Sequence, residues 1–173
     1  MKYIIESLKK KEAEIISEWH YEEPYSLYDL GCNKEAMKEL LTEPYYAMKN
    51  EKEEIIGFFC FGLAARVPAG KQYDVYREGN LTDIGLGMRP DLTGKGKGFD
   101  FLLQGLEFAR KEFHAIHFRL TVATFNQRAI KVYQRAGFKE KRIFKVPHSW
   151  KQKNEMEFMI MELNEKASNI PEP

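Results

Sequence analysis

Three glycines separated by lysines form the segment with the clearest capacity for chemistry, Thr93-Gly94-Lys95-Gly96-Lys97-Gly98. Glycine lets the backbone approach a ligand closely, and successive N–H groups of such a loop can point at one anion. A helix predicted directly after the loop adds the positive end of its dipole. The segment therefore predicts a pyrophosphate cradle with two lysines as charge support, and a flexible turn is the alternative interpretation. Walker A and Rossmann phosphate loops have spacings that this segment lacks.

An acidic and aromatic stretch, residues 18–29, is the second candidate for binding. It contains four acids and four aromatic residues other than His, with no Lys or Arg. Glu22, Glu23, Tyr25 and Tyr28 could hold a cationic amine by charge and by cation–π contact. The alternative is a surface loop anchored by aromatic packing.

The charge distribution along the chain agrees with these two candidates, because the acidic stretch lies in an acidic half and the glycine loop in a basic half. Residues 1–92 contain 12 Lys and Arg against 17 Asp and Glu, whereas residues 93–173 contain 15 against 9. A basic half suits a polyphosphate ligand or nucleic acid, and an acidic half suits a cationic substrate. The near-neutral total charge of +1 disfavours nucleic acid as the partner.

The elements that must position these segments alternate along the chain. Ile4-Ile5 predicts a strand, Lys9 to Trp19 and Lys34 to Leu41 predict helices, and residues 45–48 and 55–63 predict a hairpin. Residues 81–88 predict a strand that leads into the glycine loop. The following helix has an apolar stripe at Phe99, Leu102, Leu103, Leu106, Ala109 and Phe113.

The rest of the second half continues this pattern. Alternation over residues 118–122 predicts a strand. Asn126 can cap a helix that Gly137 ends, and residues 138–144 and 156–163 predict two further strands. The order of elements predicts an α+β (mixed α/β) fold: a central mixed, twisted sheet of about six to seven strands with helices on both faces.

Composition predicts one domain over residues 1–165 and a loose tail over residues 166–173. No apolar run reaches the roughly 20 residues of a membrane span, and the N-terminus lacks a signal-peptide core, so we expect a cytoplasmic protein without a membrane partner. Cys32 and Cys60 have no paired spacing, and His114 and His117 lack further ligands, so we predict reduced thiols and no metal.

Two spaced motifs resemble the signatures of the GNAT acetyltransferase superfamily. Met88-x-Pro90 followed by Thr93-x-x-Gly96-x-Gly98 resembles motif A, although Thr93 stands where the family usually has Gln or Arg. Asn126-x-x-Ala129-x-x-x-Tyr133-x-x-x-Gly137-Phe138 is similar to the second signature. Residues 19–28 resemble the branch related to ribosomal-protein N-terminal acetyltransferases.

The resemblance implies acetyl-CoA as cosubstrate and a splayed parallel strand pair, residues 81–88 and 118–122, that admits the pantetheine arm. Backbone groups of Leu86 and Met88 would contact pantetheine, and an N–H near Leu86–Gly87 would polarise the thioester carbonyl. Gly85 and Gly87 would leave room for the acetyl group, and close packing of neighbouring elements is the alternative.

The same resemblance implies roles for three side chains. Tyr133 matches the tyrosine that protonates the departing thiolate, and a core tyrosine is the alternative. Asn126 matches a residue that contacts the cofactor, and a plain N-cap explains it equally well. Asp83 lies by alternation on the face of Gly85 and Gly87, so it is the first candidate for the base, with Glu22 and Glu23 as alternatives.

Direct acetyl transfer to a primary amine, of a small molecule or of a protein N-terminus, is therefore the predicted function. A noncatalytic acyl-CoA sensor is the alternative. Residues 147–150 lie between the last two predicted strands, where the family often places substrate contacts, and an ordinary turn is the other interpretation. The sequence leaves a homodimer open.

Overall fold

The computed structural model describes residues 3–77, 79–147 and 155–164, and over these residues the chain forms seven strands and four α-helices. The strands are β1 (Ile4–Ser7), β2 (Tyr45–Lys49), β3 (Ile55–Phe61), β4 (Leu81–Met88), β5 (His117–Ala123), β6 (Lys139–Val146) and β7 (Met156–Asn164). The helices are α1 (Lys10–Ser17), α2 (Lys34–Thr42), α3 (Gly98–Phe113) and α4 (Gln127–Arg135). The predicted tail and residues 148–150 lie outside the described residues.

All seven strands form one sheet in the order β1-β2-β3-β4-β5-β7-β6. Alternate side chains of β3 enter different cores: Phe59 packs with α3 and α4, and Phe58 packs with α1 and α2. Because successive side chains of a strand point to opposite faces, the helices cover both faces of the sheet. The predicted mixed fold is confirmed.

The strands β4 and β5 form the parallel pair, and they pair only over Leu81, Thr82 and Asp83. Beyond Asp83, β4 keeps its antiparallel partner β3, and β5 keeps its antiparallel partner β7. The facing edges of β4 and β5 therefore separate toward their carboxyl ends, as the family resemblance implied.

The apolar stripe of α3 differs in part from the prediction. Leu102, Leu106 and Ala109 are buried as expected, but Leu103 is 38% exposed and the core instead receives Phe101 and Gly105. Gly105 contacts the ring of Phe59 so closely that a Cβ there would overlap it. Because Gly105 lies this close to Phe59, the helix is oriented with Phe101, rather than Leu103, in the core.

A loop of residues 62–77 covers part of the face opposite α3. Two short 3-10 turns, Gly62–Ala65 and Pro68–Tyr73, lie within it. Val75 of this loop packs with Ala123 and Phe144 in a third apolar cluster. No helix among the described residues is long and apolar enough to cross a membrane.

Candidate active site

The open edge of β4 is the first component of the site. The N–H of Arg89 donates to Ile56 on β3, and backbone groups alternate in direction along a strand. The polar backbone groups of Leu86 and Met88 therefore point toward β5, into the gap between the strands. The carbonyl oxygen of Met88 already accepts a hydrogen bond from the Tyr21 hydroxyl at 2.8 Å. Leu86 is thus the residue on β4 best placed to pair with an inserted chain.

The glycine loop lies at the carboxyl end of β4. Gly94 and Gly96 have φ angles of +71° and +75°, and a Cβ on Gly96 would meet no protein atom within 4 Å. The first turn of α3 has no side-chain cap, since Lys97 at the N-cap makes no such bond. Free amides therefore remain at the start of α3, and they suit an anion.

Two residues of the loop have structural partners as well. The hydroxyl of Thr93 donates to the carbonyl oxygen of Pro90 at 2.8 Å, so this side chain closes the turn before the loop. Gly98 lies against α4, because a Cβ there would come within 3.3 Å of Val132. Gly98 thus serves helix packing, and Gly96 is the glycine that faces open space.

Arg128 of α4 brings a further cation to the loop. A Cβ on Gly94 would lie 3.4 Å from the Arg128 Nη1, and the guanidinium lies 4.1 Å from the centre of the Tyr25 ring. Sequence reasoning missed Arg128. Its position in the first turn of α4, two residues after the cap Asn126, is the signal that would have indicated it.

An open cleft of about 390 Å³ joins the two sequence candidates. Its lining includes Glu22, Glu23 and Tyr25 from the acidic stretch together with Thr93 and Arg128. Glu22 and Glu23 are both exposed. The structure thus brings the predicted amine-binding carboxylates next to the predicted cofactor loop.

The rings of the acidic stretch already have partners. Tyr25 is covered by Arg128 and packs against Phe125 at 5.9 Å between ring centres. The hydroxyl of Tyr28 accepts hydrogen bonds from the Ala123 N–H and the Asn126 side-chain amide, each at 3.3 Å. Arg128 therefore occupies the cation–π position of Tyr25 that we predicted for a substrate amine.

Asn126 caps α4, as the plainer interpretation of the sequence predicted. Its Oδ1 accepts a hydrogen bond from the Ala129 N–H at 3.1 Å, while its Nδ2 donates to Tyr28. Both polar atoms of the side chain thus have protein partners, which leaves little capacity for the cofactor contact that the resemblance implied.

Tyr133 lies on α4 with 9% of its surface exposed, within the core that α3 and α4 share. Its hydroxyl has no hydrogen-bond partner among the described residues. Burial raises the pKa of Tyr133 well above its ordinary value of 10, and the nearby Tyr28 acts in the same direction. The phenol is therefore fully protonated at neutral pH.

Asp83 lies at the closed end of the β4–β5 pair in a cluster with two arginines. Arg119 donates to Asp83 through Nε at 2.6 Å and Nη2 at 2.9 Å, and the Nε of Arg66 donates at 2.7 Å. Asp83 is 2% exposed and Arg119 1%. A carboxylate held by three such bonds is suited to stabilising the fold, and this geometry speaks against Asp83 as the base.

Gly85 and Gly87 give room to side chains of β3. A Cβ on Gly85 would lie 2.6 Å from the Cys60 sulfur, and one on Gly87 would overlap the ring of Phe58. Protein atoms therefore fill the space that we expected these glycines to leave for an acetyl group. Close packing, the alternative interpretation, describes both positions.

The fold and the site together define an acyltransferase, in which an unpaired strand edge leads into a glycine loop at a helix N-terminus. The chain belongs to the acetyltransferase (GNAT) family, whose family model matches residues 5–138. A search of curated proteins finds no significant match. Among the described residues, no group of three or more His, Cys, Asp or Glu is placed to hold a metal ion.

Solved structures of acetyltransferases share the fold at low sequence identity. A GNAT-family acetyltransferase from Bacillus anthracis superposes with a TM-score of 0.69 at 13% identity, over 95% of each chain. A spermidine N-acetyltransferase SpeG chimera from Vibrio cholerae and hSSAT gives 0.67 at 14% identity, over 95% of this chain and 96% of the other. An N-acetyltransferase from Staphylococcus aureus Mu50 gives 0.64 at 18%, over 95% and 99%.

Proposed function

We propose that the protein transfers the acetyl group of acetyl-CoA directly to a primary amine. The observation that carries this proposal is the unpaired edge of β4, which ends at a glycine loop whose amides have no capping side chain. Acetyl-CoA supplies the thioester that the amine attacks. Leu86 would hold its pantetheine arm by strand-like hydrogen bonds, and the N–H near Leu86–Gly87 would polarise the carbonyl.

The glycine loop would bind the pyrophosphate of the cosubstrate. Gly94 and Gly96 allow the backbone to turn with positive φ, and Gly96 leaves open space in front of it. Lys95, Lys97 and Arg128 add positive charge around this space. Backbone amides and basic side chains together suit a doubly charged ligand.

Tyr133 is the proposed acid that protonates the departing thiolate. A phenol is protonated at neutral pH even at its ordinary pKa of 10, and the Tyr133 hydroxyl has no competing hydrogen-bond partner among the described residues. A proton donor must carry its proton before the step in which it acts, and Tyr133 meets that condition across the neutral range.

Direct transfer is favoured over a cysteine-bound acetyl intermediate. Cys60 lies beside Gly85, but it is buried and its thiol contacts the carbonyl oxygen of Ala64. Burial raises the pKa of Cys60 to about 12. Because the thiolate is the nucleophilic form of cysteine, a thiol with this pKa is a poor acetyl acceptor at neutral pH.

Asp83 is the one buried carboxylate among the described residues, and two arginines occupy it. We therefore propose that water in the open cleft removes the amine proton. Glu22 and Glu23 draw the ammonium form toward the cleft by charge, while Tyr25 and Tyr28 hold the surrounding segment in place.

The acceptor class stays a proposal. Spermidine is the substrate named for several structures with the same fold, and a protein N-terminus is what the resemblance to the ribosomal-protein branch implies. We propose a small molecule as the first class to screen, because the cleft beside Glu22 has a volume of about 390 Å³.

The test is release of free CoA thiol from acetyl-CoA in the presence of single amines, with mass spectrometry of the acetylated product. We expect amine-dependent release and a product heavier by one acetyl group. Binding of acetyl-CoA without thiol release from any amine, including peptide N-termini, would contradict the proposal.

A further inference from the structure

A second cleft, of about 430 Å³, lies beside the closed end of the β4–β5 pair. Its lining includes three basic side chains and one acid: Arg66, Lys71, Arg77 and Asp74. Arg77 forms an ion pair with Asp74, so these two charges offset each other. Arg66 and Arg119 share the single carboxylate of Asp83. The cleft therefore carries an excess of positive charge.

The guanidinium of Arg66 is positioned by a hydrogen bond at Nε and by contact with an aromatic ring. Its Nε donates to Asp83 at 2.7 Å, and the group lies 5.0 Å from the centre of the Tyr76 ring. The Tyr76 hydroxyl is fixed in turn by the Val67 N–H and the Thr121 hydroxyl, each at 2.9 Å. The guanidinium thus has a defined position and plane.

The terminal nitrogens of Arg66 have no hydrogen-bond partner among the described residues, and the side chain is 30% exposed to the cleft. A guanidinium carries five N–H donors, and Asp83 uses the one on Nε. A fork of donors in a fixed plane matches the two oxygens of a carboxylate or a phosphate. The geometry therefore offers an anion site next to a partly buried positive cluster.

This site lies near the place of acetyl transfer. Asp83 precedes Leu86 by three residues, which is about 10 Å along an extended strand. Ala65, the neighbour of Arg66, lies against Gly85 on the face of the sheet opposite α3. A small molecule on this face could thus reach both Arg66 and the gap between β4 and β5.

We propose that the acceptor amine carries an anionic group, a carboxylate or a phosphate, that binds Arg66. This inference rests on the proposed function, since it defines the acceptor of that reaction. Lys71 adds a second positive charge at the same wall. A purely cationic polyamine would place its far end against like charge, which disfavours it as the acceptor.

The test compares acceptors that differ only in the anion, at low salt, by thiol release. One pair is 5-aminopentanoate and pentylamine, a second is O-phosphoethanolamine and ethanolamine, and spermidine is the cationic reference. We expect kcat/KM to be about 10- to 100-fold higher for the anionic member of at least one pair, the range of a charge-assisted hydrogen-bond pair.

The variants separate the fixed guanidinium from general positive charge. Arg66→Gln should remove most of the preference while changing kcat/KM for pentylamine and ethanolamine, which lack the anionic group, by less than about twofold. Arg66→Lys, which can still neutralise Asp83, should lose most of it too, because an ammonium has no fork. Arg77→Gln is the matched control in the same cleft and should keep the preference.

The outcomes distinguish the two proposals. Acetylation of pentylamine, ethanolamine and spermidine at least as fast as of the anionic acceptors would overturn the anion site and leave the proposed acetyl transfer intact. Full preference in folded Arg66→Lys would overturn it as well. If no amine releases thiol, calorimetry with O-phosphoethanolamine decides: binding that Arg66→Gln weakens about tenfold supports the site, and equal or absent binding overturns it.

Discussion

The two ends of the β4–β5 pair differ in whether their polar groups have partners within the protein. At the closed end the backbones pair, and Asp83, Arg66 and Arg119 form a buried ion cluster. At the open end Leu86 has no strand partner on the β5 side, and the amides of the glycine loop have no cap. Stability and ligand binding are thus separated along the two strands: satisfied groups hold them together, and unsatisfied groups are left for a ligand.

The largest expected effect on ligand binding comes from a substitution at the open end of the pair. Gly96→Val should weaken acetyl-CoA binding by about 100-fold or more, because a side chain there projects into the space in front of the loop amides. Gly31→Val is the matched control, since Gly31 has a φ of +76° and open space around it. Calorimetry with acetyl-CoA on both folded variants separates ligand contact from backbone strain. Equal acetyl-CoA affinities of the two variants would contradict the proposed pyrophosphate cradle.

Breaking the closed end should cost stability. Asp83→Asn removes the carboxylate that binds the guanidinium groups of Arg66 and Arg119, and Arg119 is fully buried, so we expect the free energy of unfolding to fall by about 3–5 kcal/mol. Glu107→Gln removes an exposed pair with Lys111 and should cost less than about 1 kcal/mol. Urea unfolding measures both. A small loss for Asp83→Asn would argue against the structural role and reopen its role as the base.

A third substitution sharpens the open end chemically. Tyr133→Phe should lower kcat by about 100-fold with little change in acetyl-CoA affinity, since it removes the proton donor and preserves the packing. Tyr46→Phe serves as the control, because Tyr46 packs against Phe61 and Phe108 away from the gap. Steady-state thiol release gives the comparison, and wild-type kcat in Tyr133→Phe would assign this tyrosine to the core alone.

The smallest expected effect concerns the cleft at the open end. Glu22→Gln combined with Glu23→Gln should raise KM for the amine about 2- to 10-fold at low salt and leave KM for acetyl-CoA unchanged. The effect should shrink at high salt, because the Debye length falls. Glu35→Gln with Glu43→Gln removes two charges from the α2 region as a control. Equal amine kinetics for both double variants would leave Glu22 and Glu23 as surface residues.

The sequence predicted the frame of the site more fully than its side-chain contacts. Hydrophobic periodicity and glycine spacing determine strands, helices and the loop at 94–98, so the splayed pair could be predicted from local patterns together with the family resemblance. The Asp83–Arg119 pair could not, because it depends on the register between strands 36 residues apart in sequence. The loop whose Tyr76 ring packs against Arg119 has no periodic pattern that would have indicated the contact.

The acidic stretch shows the same limit. Its composition predicted charge and aromatic rings at a cleft, which the structure brings together. It could not show that Tyr25 is covered by Arg128, a residue 103 positions later in the chain. Whether a ring packs against the protein or stays available for a substrate depends on tertiary contacts of this kind. Neither the charge nor the spacing of residues in the sequence predicts such contacts.

Two hydrogen bonds of this stretch have a mechanical consequence. Tyr21 bonds the last residue of β4, and Tyr28 bonds the last residue of β5, so one short segment ties the separated strand ends across the gap. A wider gap between β4 and β5 would stretch these two hydrogen bonds, and a shift of the segment would change the distance between the strand ends. We therefore expect occupancy of the gap and the position of Glu22 and Glu23 to be thermodynamically linked. By reciprocity, the factor by which bound acetyl-CoA would alter amine affinity must equal the factor by which bound amine would alter acetyl-CoA affinity.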